Sequence, residues 1–266
     1  MFIFFRVVMD DSEYFDFYQY LLNKESVPDH HYLNKQSISD EMRATTIDWI
    51  ISLGCEFRTI NLVVHITVLL LDKFLSISVI QAKNLQLVGA ACFFIACKYE
   101  EVYPPKIRDI VYTLDGAGTK SDLVDMEALI MKTVDYQLGA PTASVFLYNL
   151  VNMLPKDLFH NSFNLASYCI ELSLLTTATL KFSYSIVAAS SLTLARIMLE
   201  IDDPWPKKMV KFSNLDFYEM EECILFLSSL LSEARDYPHT KATRDKYNHY
   251  KYNSISRLKL PENFQR

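Results

Sequence analysis

The stretch that decides the fold runs from Leu85 to Pro105 and reads LQLVGAACFFIACKYEEVYPP. Up to Cys97 it carries almost no polar side chain, and a helix that is apolar on all faces packs inside a bundle. The charged cluster Lys98–Glu101 follows, and two prolines that cannot continue a helix end the stretch. We therefore predict a buried central helix from about Gln81 to Tyr99, whose C-terminal end presents charges to a partner.

The composition of the whole chain also favours helices. Half of the 266 residues are hydrophobic, and only five are glycine and nine proline, which predicts long helices with few turns and an all-α fold. The formal charge is −6, although residues 237–266 hold seven Lys or Arg against two acids. A body this acidic is a poor binder of nucleic acid. The basic tail is expected to pack on its own acidic body, with contact to phosphate or to an acidic partner as the alternative.

No pattern in the sequence predicts an enzyme, a metal site or a cofactor. The five cysteines are scattered without Cys-x-x-Cys spacing, which is typical of buried free thiols in a reducing compartment. There is no Gly-rich phosphate loop and no nucleophile beside a histidine. The apolar start Met1–Phe5 is too short to span a membrane and lacks the features of a signal peptide. We therefore expect a soluble intracellular protein without catalytic residues.

The helical pattern is repeated once along the chain. Five helices are expected between Ser39 and Leu138, preceded by a short aromatic helix after Asp10, and five more follow up to about Arg235. The small-residue run at 188–195 matches the run at 89–96 at an offset of 99, which places Ile197 opposite Lys98. Because the charged cluster has no counterpart in the second repeat, it is not needed for folding, which indicates a function.

Individual polar residues are predicted to cap the first helices and to form an ion pair between them. Ser39 is predicted to cap the helix that follows it, and Asn61 the next. That second helix is strongly apolar and contains Asp72, and a buried acid needs a partner. Arg43 is the natural candidate, and we expect this ion pair to be purely structural.

The ordered motifs of the chain resemble the cyclin box of the A and B mitotic cyclins. The motifs are Met42-Arg43-Ala44-(x)3-Asp48-Trp49, Leu71-Asp72-Lys73-Phe74-Leu75, Leu85-Gln86-Leu87-Val88-Gly89, Lys98-Tyr99-Glu100-Glu101-(x)2-Pro104-Pro105 and Met126-Glu127. The resemblance implies two tandem five-helix boxes. The expected divisions are an N-terminal segment at 1–38, boxes at 39–138 and 139–236, and a basic extension at 237–266.

The resemblance also implies a partner, the catalytic subunit of a cyclin-dependent kinase. Lys98 and Glu127 would bond main-chain groups around the kinase's PSTAIRE-type helix, and Glu101 would lie on the rim. An apolar pocket for a side chain of that helix would be formed by Ile95, Tyr99, Met131, Tyr136 and Leu138. From the residues alone, a salt bridge between neighbouring helices is the favoured interpretation of Lys98 and Glu127, and the two roles are compatible.

A second site that the resemblance implies is a patch for Arg-x-Leu or Lys-x-Leu motifs of substrates and inhibitors. Its positions here would be Met42, Trp49, Leu85 and Gln86. The family has two aliphatic residues where this chain has Thr45-Thr46, and usually an acid where it has Ser52. Losing one buried aliphatic contact costs about 1.5–3 kcal/mol, roughly a ten- to hundredfold loss of affinity. We expect docking to be weak or altered.

The leading hypothesis is therefore a regulatory subunit that activates a cyclin-dependent kinase in cell-cycle progression, of the G2/M or S/G2 type, in the nucleus and the cytoplasm. Two alternatives remain open: a divergent cyclin that folds without activating, and a cyclin-fold adaptor in transcription. No destruction box or Lys-Glu-Asn box precedes Asp40, and the Arg-x-x-Leu at Arg196–Leu199 lies in a helix predicted to be buried. We therefore read that motif as accidental.

Overall fold

The computed structural model describes residues 11–154 and 159–260, and within these ranges all regular structure is helical. The apolar start Met1–Phe5 lies outside the described residues. The helices are α1 Asp11–Lys24, α2 Asp40–Glu56, α3 Asn61–Ile77, α4 Leu85–Glu100, α5 Ile107–Thr113, α6 Lys120–Thr133, α7 Ala143–Asn152, α8 Phe159–Ser173, α9 Tyr184–Met198, α10 Lys207–Ser213, α11 Phe217–Glu233 and α12 Lys241–Asn248.

The described chain forms two compact units. The first comprises residues 27–140 and 174–181, and therefore holds α2–α6. The second comprises residues 11–26, 141–154, 159–173 and 182–260, and therefore holds α1 and α7–α12. Each unit has a central helix, because α4 contacts α2, α3, α5 and α6, while α9 contacts α7, α8 and α11.

Helix α4 is buried along most of its length, as its apolar sequence predicts. Every residue from Leu87 to Cys97 is buried. Gly89 allows the close approach of α2, because a Cβ atom at this position would lie 3.0 Å from the Thr46 methyl group. The helix begins at Leu85, after a 3-10 turn at Ala82–Asn84, and therefore later than the predicted Gln81. Burying such aliphatic and aromatic side chains contributes about 1.5–3 kcal/mol each.

The helix caps confirm one sequence prediction and correct another. The Ser39 hydroxyl accepts a hydrogen bond from the Met42 N–H at 3.2 Å, as expected for the cap of α2. Asn61 does not cap α3, because it is the first residue of that helix and Ile60 occupies the cap position. An isoleucine side chain offers no acceptor, so the N-terminus of α3 depends on a residue from elsewhere in the chain.

The second unit holds its basic C-terminal segment against α8, which confirms the expectation that this tail packs on its own body. The Lys246 ammonium lies 2.6 Å from the Glu171 carboxylate, and the Tyr247 hydroxyl donates to the same carboxylate at 2.7 Å. Glu171 is fully buried, and a buried carboxylate requires such partners.

Candidate functional site

The last turn of α4 carries the two side chains that the sequence placed at the partner surface. Lys98 and Tyr99 are both exposed, whereas the three residues before Lys98 are buried. The Lys98 ammonium forms an ion pair with Glu127 of α6 and lies 4.2 Å from the centroid of the Phe94 ring. The side chains are 37% and 23% exposed, so the pair is open to solvent. The salt bridge expected from the residues alone is therefore present.

Glu127 is held in place by the way α6 begins. The Thr119 hydroxyl accepts from the Asp122 N–H at 3.2 Å, and the Asp122 carboxylate accepts from the Thr119 N–H at 2.8 Å, which completes a capping box. The Thr119 N–H and the Thr119 hydroxyl both donate to the Asp122 carboxylate and lower its pKa. Because α6 packs directly on α4, the capped helix presents Glu127 opposite Lys98 in a defined register.

The residues predicted to form an apolar pocket differ in their exposure. Tyr99 and Tyr136 are 42% and 67% exposed, and Met131 and Leu138 are half-buried. Ile95 is only 3% exposed, so its side chain lies within the core of the unit. Four of the five residues are thus available at the surface, while Ile95 supports them from beneath. Their predicted role in kinase binding stays a prediction.

The turn after α6 positions Tyr136 by an unusual backbone conformation. Asp135 and Tyr136 have φ angles of 51° and 56°, in the left-handed region that non-glycine residues rarely adopt. The Tyr136 N–H donates to the Met131 carbonyl at 2.9 Å, which closes the helix C-terminus. The chain then passes Tyr99 at Gly139, where an added Cβ atom would lie 2.9 Å from the Tyr99 hydroxyl.

Glu101 has a structural contact that the sequence did not suggest. Its carboxylate accepts a hydrogen bond from the Ile60 N–H at 2.8 Å, which links the residue preceding α3 to the residue that follows α4. The predicted place on the rim fits its intermediate exposure, but its carboxylate is engaged within the unit.

The burial of Glu100 shows that the charged cluster Lys98–Glu101 does not face outward as a whole. Its side chain is only 5% exposed, and burial raises the pKa of its carboxyl group. Successive residues of a helix point about 100° apart, so Lys98 and Tyr99 face solvent while Glu100 turns inward. The outward surface is therefore formed by Lys98, Tyr99, Glu127, Met131, Tyr136 and Leu138, and we call it the α4–α6 surface.

Arg43 and Asp72 form the buried ion pair that the sequence predicted between α2 and α3. The guanidinium binds both carboxylate oxygens, at 2.8 and 2.6 Å, and both side chains are 1% exposed. The Tyr32 hydroxyl donates to the same carboxylate at 2.6 Å, and Arg43 also donates to the Leu174 carbonyl at 2.9 Å. These contacts engage all three nitrogens of the guanidinium group and both oxygens of the carboxylate.

The described residues contain no cluster of side chains that could bind a metal ion. Within residues 11–154 and 159–260, no group of three or more His, Cys, Asp or Glu side chains could hold a metal ion. Burial raises the pKa of Cys97 and of Cys169 to about 12, so both thiols stay protonated at neutral pH. None of the helices in these ranges is both long and apolar enough to cross a bilayer.

Two family models match almost the whole chain. The cyclin N-terminal domain matches residues 16–139, and the cyclin C-terminal domain matches residues 141–261. The chain belongs to the cyclin family.

The curated relatives of this cyclin include A-type proteins from plants and animals. It is 32% identical to Cyclin-A3-2 of Oryza sativa subsp. japonica over 256 residues, which cover 92% of this chain and 66% of that protein. It is 34% identical to Cyclin-A1 of Homo sapiens over 261 residues, covering 96% of this chain and 55% of that protein. The chain thus spans between about half and two thirds of the length of these relatives.

Solved structures with a similar fold include a viral cyclin from herpesvirus saimiri, with a TM-score of 0.72 and 22% identity over 81% of this chain and 96% of that one. A chain of the yeast RNA Pol II CTD kinase CTDK-1 complex gives a TM-score of 0.63 at 14% identity, covering 88% of this chain and 83% of that one. At these identities the likeness shows the cyclin fold.

The docking patch implied by the family is only partly exposed in this cyclin. Met42 is 38% exposed, Trp49 and Gln86 are half-buried, and Leu85 is 3% exposed. The three hydroxyl side chains that replace the family's usual residues all donate to carbonyls of their own helix: Thr45 to Glu41, Thr46 to Met42 and Ser52 to Asp48. They add neither an apolar surface nor a negative charge to the patch.

The central helix of the second cyclin box ends differently from α4. Arg196 is 4% exposed and donates to the carbonyls of Asp203 and Pro204, both at 2.9 Å. Ile197, opposite Lys98 in the repeat, is half-buried. The end of α9 therefore binds its own loop and carries no exposed charge pair. The burial of Arg196 also fits our interpretation of its Arg-x-x-Leu motif as accidental.

Proposed function

We propose that this cyclin is the regulatory subunit of a cyclin-dependent Ser/Thr kinase, and that it activates the kinase allosterically in cell-cycle progression of the G2/M or S/G2 type. The observation that carries the proposal is the α4–α6 surface. It combines the exposed Lys98–Glu127 pair with exposed or half-exposed apolar side chains, on two helices that pack against each other. The second box offers no equivalent at the end of α9.

The surface suits a partner helix with free main-chain groups and one protruding aliphatic residue. The ammonium group of Lys98 is a donor and the carboxylate of Glu127 an acceptor, so the pair is able to bond a carbonyl and an N–H group of the partner. Each such charged hydrogen bond contributes about 1.5–3 kcal/mol. The tyrosine, methionine and leucine side chains around the pair would receive the aliphatic residue.

The kinase subunit would catalyse the phosphoryl transfer. In an inactive kinase the αC helix is rotated outward, and the Lys–Glu pair that positions ATP is broken. A rigid surface that binds only the inward position of this helix shifts the equilibrium by its differential affinity. The cyclin would contribute no catalytic residue and need no cofactor, and we propose that it is not itself an enzyme. It would act where such kinases act, in the nucleus and the cytoplasm.

Docking of substrates or inhibitors would be weak. A patch in which Thr45 and Thr46 replace aliphatic residues and Ser52 replaces an acid has lost apolar contact area and a carboxylate for the basic residue of an Arg-x-Leu motif. This feature also favours the second candidate, a divergent cyclin that folds without activating a kinase.

The test is co-purification of the whole chain with a panel of cyclin-dependent kinases, followed by a phosphorylation assay on a histone-type substrate. Lys98→Ala and Glu127→Ala should each weaken activation roughly tenfold to a hundredfold at limiting cyclin concentration, from the loss of one charged hydrogen bond. Lys120→Ala and Asp125→Ala change exposed charges elsewhere on α6 and serve as matched controls.

The outcomes separate the candidate functions. Strong activation by the wild type that both α4–α6 substitutions reduce, and that the controls leave intact, supports the proposed mechanism. Tight binding without activation favours the divergent cyclin. If the wild type neither binds nor activates any kinase of the panel, or if both substitutions leave activation unchanged, the proposal is wrong.

A further inference from the structure

Three arginines of the second unit are linked to one another near its C-terminal end. Arg235 follows α11, Arg244 lies in α12, and Arg257 ends the 3-10 turn Ile255–Arg257. The Arg244 guanidinium donates to the Arg235 carbonyl, and the Arg235 guanidinium donates to the Arg257 carbonyl at 2.8 Å. The Arg257 guanidinium donates to the side chain of Asn248, the last residue of α12, at 2.6 Å. We call Arg235, Arg244 and Arg257 the arginine cluster.

The arginine cluster also shares a buried neighbour. Tyr168 of α8 is only 2% exposed, and burial raises the pKa of its hydroxyl group, while the positive charges of Arg244 and Arg235 act in the opposite direction. Both guanidinium groups therefore lie within electrostatic range of the same hydroxyl. The Arg244 guanidinium also donates to the Ala234 carbonyl at 3.0 Å. Bonds to the main chain thus hold these charges in defined positions on the packed unit.

The guanidinium groups of the cluster have no carboxylate partner in the part of the chain that the structure describes, where no Asp or Glu side chain forms an ion pair with them. Arg43 of the first unit shows what such a group can bind. Its Nη1 atom donates to a main-chain carbonyl, while its Nε and Nη2 atoms hold the carboxylate of Asp72. Arg244 likewise uses Nη1 for carbonyls, but its Nε and Nη2 atoms form no hydrogen bond with the described residues. This edge of Arg244 is therefore open to an anion.

The other two members of the cluster also keep unused donors. Arg235 and Arg257 are exposed, and each uses one of its three guanidinium nitrogens in a bond to the described chain. Like charges that are held together repel each other, and a bound anion relieves this repulsion. The exposed acids Glu233, Asp236 and Asp245 flank the cluster in the sequence. They disfavour an extended polyanion such as nucleic acid, so the cluster suits a compact anionic group.

We propose that the arginine cluster is a binding site for the phosphate group of a phosphorylated side chain in a partner protein. A phosphate monoester is compact, carries about two negative charges, and has three strong acceptor oxygens. The planar guanidinium fork binds such oxygens with paired hydrogen bonds, and clusters of arginines recognise phosphorylated motifs in this way. The site lies in the second unit, and the proposal does not depend on the proposed activation of a kinase.

A fluorescence-anisotropy titration of the whole chain tests the site. The probe is a labelled phosphoserine peptide with glycines on both sides, and the same peptide without the phosphate is the reference. The wild type should bind the phosphorylated peptide saturably and roughly tenfold or more tightly than the reference, and inorganic phosphate should compete. Arg235→Gln combined with Arg244→Gln and Arg257→Gln should abolish this preference.

A charge-matched control comes from α10 of the same unit. Lys207→Gln combined with Lys208→Gln and Lys211→Gln also removes three exposed positive charges, and should leave the preference for the phosphorylated peptide unchanged. Replacing the three arginines of the cluster by lysine keeps the charge but removes the planar forks, and should reduce the preference several-fold. Circular dichroism checks that each variant is folded, and the lysine variant decides the test if the glutamine variant is not.

Four outcomes would overturn the proposal. They are the absence of saturable binding by the wild type, equal affinity for the phosphorylated and the unmodified peptide, and an equal loss of preference in the α10 variant and the cluster variants. The fourth is a DNA duplex that binds more tightly than the phosphopeptide and is lost in the same cluster variants, because the site would then recognise nucleic acid.

Discussion

The first cyclin box contains two ion pairs that join neighbouring helices, and they differ in almost every other respect. Arg43 and Asp72 are each 1% exposed, whereas Lys98 and Glu127 are 37% and 23% exposed. In the buried pair, all three nitrogens of the guanidinium and both oxygens of the carboxylate are bound within the unit. Such a pair has little capacity left for a partner.

The exposed pair keeps that capacity. An ammonium group has three donors, and a carboxylate accepts at both oxygens, so one contact between Lys98 and Glu127 leaves further bonds available. Exposure also lowers the free-energy cost of rearranging the pair, because water replaces a contact that is lost. The comparison teaches that burial and bond saturation, rather than charge pairing itself, separate a structural pair from a binding pair. Substitutions in the two pairs, and in the cap of the helix that carries Glu127, test that distinction.

The largest effect is expected when one member of the buried pair is removed. Asp72→Ala leaves the Arg43 guanidinium and the Tyr32 hydroxyl without their acceptor, and should lower the free energy of unfolding of the first unit by about 3–5 kcal/mol. The chain has two tryptophans, one in each unit, so in a Trp205→Phe background the fluorescence of Trp49 reports on the first unit during urea unfolding.

An apolar replacement of the pair serves as the control for this experiment. Arg43→Met combined with Asp72→Leu removes both charges, and should be clearly more stable than Asp72→Ala because no charge remains buried without a partner. A loss below about 1 kcal/mol for Asp72→Ala would contradict the structural role that we assign to the pair.

A smaller effect is expected from the cap of α6, the helix that carries Glu127. Thr119→Ala removes the acceptor for the Asp122 N–H and should cost about 1 kcal/mol at neutral pH. Ser121→Ala removes a neighbouring exposed hydroxyl that has no part in the capping box, and should cost much less. An equal cost for both variants in urea unfolding would show that the cap does not hold the helix.

The cap also predicts a pH dependence with a definite sign. The hydrogen bonds from Thr119 lower the pKa of Asp122 in the folded state below its ordinary value of 3.8. The ionised carboxylate therefore stabilises the fold above pH of about 4, and this contribution disappears as the pH falls through the lowered value. The difference between wild type and Thr119→Ala should accordingly shrink under acid conditions, whereas Ser121→Ala should show no such change.

The sequence predicted those parts of the site that depend on local pattern. The apolar run up to Cys97 predicted the buried α4, and the acid in an apolar helix predicted the partnership of Asp72 with Arg43. The comparison of the two repeats singled out Lys98. The first inference uses the apolar pattern of a buried helix, the second the general cost of burying a charge, and the third the internal repeat, and each uses only the residue types and their order along the chain.

The parts that the sequence missed depend on tertiary contacts. Glu101 accepts a hydrogen bond from the Ile60 N–H, which is 41 residues away, and no local sequence pattern predicts such a bond. Glu100 stands in the same charged cluster as Lys98, yet it turns inward because of its angular position on α4. The left-handed backbone conformation of Tyr136 likewise could not be predicted, because the sequence has no glycine at that position. The exposure of a side chain is a property of the packed unit.

The smallest effect on stability is expected at the exposed pair. Lys98→Ala, Glu127→Ala and the double variant should each change the free energy of unfolding by less than about 1 kcal/mol, and the double-mutant cycle should give a coupling of about 0.2–1 kcal/mol that falls as salt is added. The same variants should reduce binding of the kinase much more than this. A coupling of several kcal/mol that resists salt would mean that the pair holds α4 and α6 together. The Lys98–Glu127 pair would then stabilise the fold as the Arg43–Asp72 pair does, and exposure would not distinguish a structural pair from a binding pair.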